Sequence, residues 1–189
     1  MANDLEMDPV EVRRLLDELV RRLTIAGVDA RIHVIGGSAM ALLFPDDAET
    51  RMTRDIDASI EPSAEVGRIV GEMSVELGLS PSWLNANGQA FIPPRDRLGS
   101  KRPGRGVTVT YADIRELIAM KLAASREQDL HDLGMLARHA GITDPQSLVD
   151  IAFEAYGEDS VVLNESRDDY LIMATQALAR AKKRAQARQ

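Results

Sequence analysis

The chain has 189 residues, 44% of them hydrophobic and 28% charged, which places it with globular proteins and away from disordered ones. It has no cysteine, which excludes disulfides, thiolate metal sites and a cysteine nucleophile. A net charge of −7 argues against a surface built for broad, non-specific nucleic-acid binding. No apolar run approaches the roughly 20 residues of a membrane span, and the start, MANDLEMDPV, is acidic where a signal peptide would be basic and then apolar. A soluble cytoplasmic protein is expected. With aromatics at only 4%, aliphatic side chains and methionines must fill the core.

In chain order, residues 8–26 carry apolar side chains at helical spacing (Val10, Val12, Leu15, Leu16, Leu19, Leu23 and Ile25) with arginines opposite, and Gly27 is a natural stop. Residues 31–35 (RIHVI) predict a buried strand running into Gly36-Gly37, followed by a short helix from Ser38 to Phe44 closed by Pro45. A polar loop spans 45–53, and Asp55–Ile60 alternates as a strand. A helix is expected from Pro62 to Leu77, ended by Gly78. Residues 82–92 predict short strands joined near Asn87-Gly88, 93–106 a long loop, and Val107–Tyr111 a strand. Helices follow over 113–125, 127–140, about 144–156 and about 165–187. The expected fold is α+β: an N-terminal helix, a small mixed-sheet core, and a helical C-terminal half. Residues 1–111 and 112–189 form two subdomains on this reading.

Two features carry chemistry most directly. Gly36 and Gly37 at a strand-to-helix turn allow close approach of a ligand to the backbone, and the helix N-terminus that follows suits a phosphate. Ser38 either caps that helix or donates to a phosphate oxygen. In Thr53-Arg54-Asp55-Ile56-Asp57, strand geometry puts the two acids on one face with α-carbons roughly 6.6 Å apart. Parallel carboxylates on a rigid strand bind Mg²⁺ through oxygens, or bridge two metals about 3.5–4 Å apart as in-line phosphoryl transfer uses them. Without a cation between them they would repel.

The helical half adds three residues. Asp113 and Glu116 form a D-x-x-E capping box. The apolar stripe Ile114, Leu117, Ile118 continues to Lys121, and a lysine on an inward face needs an anion, either a triphosphate or a buried carboxylate. Asp129 lies at the inward edge of the next helix and Asp132 one turn on. Either acid is able to pair with Lys121 or Arg126, orient a ligand, or act as a base. His33 reads as a core histidine, and His131 and His139 are too far apart for a zinc pair at i, i+4. Positive charge clusters at Arg95, Arg97, Lys101, Arg102 and Arg105, and again at Arg180, Lys182, Lys183, Arg184 and Arg188.

Together these residues resemble the nucleotidyltransferase superfamily, which pairs a glycine turn and helix with a following D-x-D strand. More narrowly, the chain is similar to the MenT/AbiEii-type nucleotidyltransferase toxins, through V-I-G-G-S-A-M-A-L at 34–42, T-R-D-I-D at 53–57, Glu116 to Lys121, and R-x-x-D-x-x-D-L from Arg126 to Leu133. The resemblance implies a nucleotidyltransferase core in which Gly36, Gly37 and Ser38 hold the phosphates of an NTP. It implies Asp55 and Asp57 as Mg²⁺ ligands flanked by Thr53, Lys121 on the triphosphate, and Asp129 or Asp132 as the last acid, supplied from the helical half. The implied activity is transfer of a nucleoside monophosphate, in the characterised toxins to the 3′ end of tRNA, with an antitoxin as protein partner. The basic loop 95–105 and the C-terminal tail would then meet RNA phosphates. One departure stands out: the strand Val107–Tyr111 (VTVTY) has no third metal-binding acid. Two other readings compete. One is nucleotidyl transfer to a small molecule, such as an aminoglycoside or lincosamide antibiotic, or to a partner protein. The other is a catalytically silent binding module, such as the neutralising member of an operon pair.

Overall fold

A computed structural model of the chain describes residues 6–94 and 104–187. The chain forms two compact units, one of Met1–Gln89 with Leu98–Ala112 and one of Ala90–Arg97 with Asp113–Gln189.

The first unit begins with α1 (Pro9–Ile25), whose free amides are met by Asp8: its carboxylate accepts from the Glu11 amide at 2.8 Å, and Pro9 enters the first turn where no amide hydrogen is needed. Of the expected apolar face, Val12, Leu15, Leu16, Leu19 and Leu23 are buried, whereas Val10 and Ile25, at the two ends of the helix, are exposed. Strands β1 (Ala30–Val34), β2 (Ile56–Glu61), β3 (Leu84–Asn85) and β4 (Val107–Tyr111) make one mixed sheet in the order β3-β2-β1-β4. β1 runs antiparallel to β2 and parallel to β4, and β2 runs parallel to β3. Alternation sorts the two faces. Ile32, Val34, Ile56 and Ala58 are fully buried on one, and Arg31, His33, Asp57 and Ser59 stand on the other. Helices α2 (Gly36–Leu43) and α3 (Ser63–Leu77) pack with α1 around the apolar face's core. Trp83 anchors β3 from below, buried, with its indole N–H donating to the Val70 carbonyl at 3.2 Å.

Three details differ from the sequence expectation. α2 starts at Gly36, two residues early, and β2 starts at Ile56, which leaves Asp55 in the bend just before it. Residues 82–92 do not form a hairpin. Only Leu84–Asn85 is strand, parallel to β2, and Gln89–Phe91 is a 3-10 turn. The Asn85 side chain accepts from the Asn87 amide at 2.9 Å, and such a local side-chain turn takes the backbone out of the ladder. Met7 also pairs with Thr53 through both main-chain bonds, at 2.6 and 3.0 Å, and is itself buried; no local pattern pointed to that bridge.

The second unit holds α4 (Ile114–Ala124), α5 (Asp129–His139), α6 (Pro145–Tyr156) and α7 (Arg167–Ala187). α4 packs on α5 and α6, and α7 closes the group against the same two helices. Asp113 and Asp144 cap α4 and α6, the former accepting from the Glu116 amide at 2.8 Å as the D-x-x-E spacing demands. Tyr170 is fully buried and stands edge-on to Phe153 at 6.1 Å between ring centres, while Arg167 lies 4.0 Å over the Phe153 ring.

Gly134 sets how closely α5 and α7 approach. A Cβ there would lie 2.8 Å from the Ala177 carbonyl oxygen and 3.0 Å from the Ala181 Cβ, so the contact is backbone against backbone. Gly134→Ala is therefore expected to lose about 1–3 kcal/mol to overpacking, despite better helix propensity. At Gly71 in α3 a Cβ would meet nothing within 4 Å, so Gly71→Ala should gain about 1 kcal/mol. Urea unfolding of the two variants checks the opposite signs.

Candidate active site

The first constellation lies in the first unit, at the end of β1. β1 delivers the chain to Gly36, which adopts φ +64; an L side chain there is strained, and a Cβ would sit 3.2 Å from Asp57 Oδ2. The glycine is what lets the Asp57 carboxylate lie against the turn. The Asp57 carbonyl in turn accepts from the Ile35 amide at 2.9 Å, locking β2 beside the start of α2. Gly88 closes the other side: a Cβ there would lie 2.9 Å from Ile35 Cδ1 and 3.8 Å from Asp57 Cβ. Gly37 has more room: a Cβ there would lie 3.8 Å from Thr53 Oγ1.

Asp55 is held from two directions. Ser38 Oγ, from inside α2, donates to the Asp55 main-chain carbonyl at 2.9 Å, and Thr53 Oγ1 donates to the same oxygen at 2.8 Å. Ser38 is buried, so in this arrangement both hydroxyls fix the acid-bearing bend. On the other side, Asn85 Nδ2 donates to Asp55 Oδ2 at 2.8 Å. Asn85 is the register partner of Asp57, so its side chain leaves the sheet on the same face. The structure thus brings Gly36, Gly37, Ser38, Thr53, Asp55 and Asp57 together. It adds Asn85 and Gly88, which sequence reading missed. The only local signal for them was the Asn87-Gly88 turn, read as a hairpin loop.

The donor set fits Mg²⁺: hard carboxylate oxygens beside a glycine cradle that a Cβ would fill. Among the described residues no group of three or more histidine, aspartate or glutamate side chains is placed to hold a metal ion. Mg²⁺ is commonly held by one or two carboxylates, with the remaining ligands from water and substrate phosphates.

The second constellation lies in the second unit. Lys121 Nζ sits 2.9 Å from Asp129 Oδ1 and 2.7 Å from Asp132 Oδ2, with the lysine side chain 14% exposed and the two acids 5% and 7%. Burial pulls the Lys121 pKa down, but the charges of Asp132 and Asp129 outweigh it, and the net direction is up. One cation thus faces two buried carboxylates, and Asp129 Oδ2 is buried with no hydrogen-bond partner. Of the partners open to Asp129 and Asp132, the structure selects Lys121. Arg126 is exposed. His33 is buried with Nδ1 2.8 Å from Thr110 Oγ1.

Of the basic segments, Arg95, Arg97, Lys101, Arg102 and Arg188 fall outside the described residues, whereas Arg105, Lys182 and Lys183 are exposed. Arg180 pairs with Glu127 at 2.6 Å. Among the described residues no helix is long and apolar enough to cross a membrane.

A small mixed sheet whose first strand breaks at a glycine turn, facing two acids at the head of the next strand, defines a nucleotidyltransferase-like domain. The comparison with family models agrees over most of the chain: residues 13–183 match DUF6036, a nucleotidyltransferase family of unknown function, and the chain belongs to that family. No curated protein and no solved structure matches it.

Proposed function

We propose that the chain is a Mg²⁺-dependent nucleotidyltransferase that moves a nucleoside monophosphate from an NTP to the 3′ end of tRNA, as the toxin of a toxin–antitoxin-type pair. The observation that carries the transferase reading is the Asp57 carboxylate lying on the Gly36 turn beside Asp55. Asp55 and Asp57 would hold the ion, which when bound would neutralise charge on the triphosphate. The amides that open α2 would offer the phosphates the positive end of a helix dipole. In the reaction an acceptor hydroxyl oxygen bonds the α-phosphorus and loses its proton to solvent, while the bond to the β-phosphate oxygen breaks and pyrophosphate leaves. What the protein must supply is alignment and charge neutralisation.

The RNA acceptor is supported by exposed Lys182 and Lys183 on the last turns of α7 and by exposed Arg105. The toxin-like motifs around Lys121, Asp129 and Asp132 point the same way. Net charge favours a second acceptor class, since a body at −7 attracts a cationic drug such as an aminoglycoside. Incubation with each α-labelled NTP, total tRNA and an aminoglycoside separates the two. Label in the RNA is expected; label in the drug alone would overturn the tRNA assignment and leave the transferase.

A further inference from the structure

The geometry points to Asn85 as a positioning residue for the metal-binding carboxylate Asp55, an inference that rests on the proposed nucleotidyltransferase site and extends it. The amide of Asn85 has no freedom to turn over. Its Oδ1 faces the main-chain N–H of Asn87 at 2.9 Å, and that group only donates, so the atom facing it must be the oxygen. The other end must then be Nδ2, which donates to Asp55 Oδ2 at 2.8 Å and lies 3.3 Å from the Ser82 carbonyl. A neutral, oriented donor thus occupies one carboxylate oxygen of Asp55. Among the described residues no other side chain donates to that carboxylate.

The consequence is directional. With Oδ2 taken by Asn85 and the main-chain carbonyl taken by Ser38 and Thr53, Asp55 presents Oδ1 as its outward ligand atom. Asn85 stands in register with Asp57, so the same short strand that fixes Asp55 also borders the second acid. An amide serves better here than a carboxylate or a hydrophobe. It satisfies Asp55 without adding a third negative charge, and it leaves a hard cation to be met by Asp55 and Asp57. Partners that orient a ligating carboxylate typically contribute tenfold to a hundredfold in metal affinity.

The test uses the full chain and Mn²⁺ as probe, with free ion measured by electron paramagnetic resonance, in wild type, Asn85→Leu, Asn85→Ala and Asp57→Ala. Asn87→Ala keeps the main-chain donor and serves as control. Weakening of Mn²⁺ binding by about tenfold or more is expected in both Asn85 variants, with Asn87→Ala unchanged and melting curves confirming that each variant is folded. In transfer assays the Mg²⁺ concentration at half-maximal rate should rise by the same factor, with the KM for NTP at saturating Mg²⁺ unchanged. Equal Mn²⁺ affinity in wild type and either folded Asn85 variant overturns the role of Asn85 and leaves the transferase reading standing. The expected Mn²⁺ pattern in a protein that transfers no nucleotide sinks the transferase reading and leaves Asn85 in its role. Should wild type and Asp57→Ala bind Mn²⁺ equally, both fail.

Discussion

Asp57→Ala is expected to reduce nucleotide transfer by at least about a hundredfold while leaving the melting temperature nearly unchanged. A carboxylate that fixes a divalent ion contributes several kcal/mol to stabilising charge in the transition state, and each 1.36 kcal/mol is a factor of ten in rate. Stability should hold because the side chain is only half-buried and stands on the sheet face opposite the core residues Ile56 and Ala58. The measurement is transfer of α-labelled NTP into total tRNA, paired with a thermal melt. Transfer that survives in a normally folded Asp57→Ala protein would remove Asp57 from the site and with it the account of the Gly36 turn. It would also revive the reading of the chain as a silent binding module.

The second large effect belongs to the helical unit. Lys121→Met takes away the ammonium that Asp129 and Asp132 share in the interior. Breaking a buried pair by deleting one partner typically costs about 3–5 kcal/mol, because the remaining charge stays desolvated and uncompensated. For a chain of this size that corresponds to a melting temperature lower by roughly 10 °C. The triple change Lys121→Met, Asp129→Asn, Asp132→Asn should recover most of the loss, since the stranded charges go with the lysine. If Lys121→Met melts like wild type, the cluster is not a stabilising ion pair.

The cluster also predicts a pH dependence. The two aspartates hold the Lys121 pKa above its ordinary value of 10.5, so the folded protein binds this proton more tightly than the unfolded chain does. Its contribution is fully present below about pH 10.5 and is lost as pH rises through the higher folded value. Melting temperatures measured from pH 8 to 12 should therefore show an alkaline decline in wild type with a component missing from the triple variant.

How the lysine is used illustrates where local pattern stops. Helical spacing put Lys121 on the inward face, and the cost of burying a charge required an anion near it. Whether that anion was a phosphate, Asp129, Asp132 or something else depended on how α4 meets α5. In the structure both acids are taken. The same limit applies to Ser38. Its place after two glycines suggested a helix cap or a phosphate donor, yet its hydroxyl reaches 17 residues along the chain to the Asp55 carbonyl. Thr53, expected to flank the site, joins it on that oxygen.

By itself the sequence determined the repeating elements and their ends. Periods of 3.6 and 2 report which face of each helix or strand must leave water, and Asp8, Asp113 and Asp144 mark helix starts because free amides there need an acceptor. It also determined the order of glycine turn, paired acids and helical half from which the nucleotidyltransferase superfamily is legible. Only the tertiary structure decided which groups meet. The parallel register that lays Asn85 beside Asp57, the Met7 bridge to Thr53, and the choice of Lys121 by two aspartates all join residues distant along the chain or on separate elements. Such contacts arise from the packing of whole elements, and no short stretch of sequence encodes a partner it does not contain.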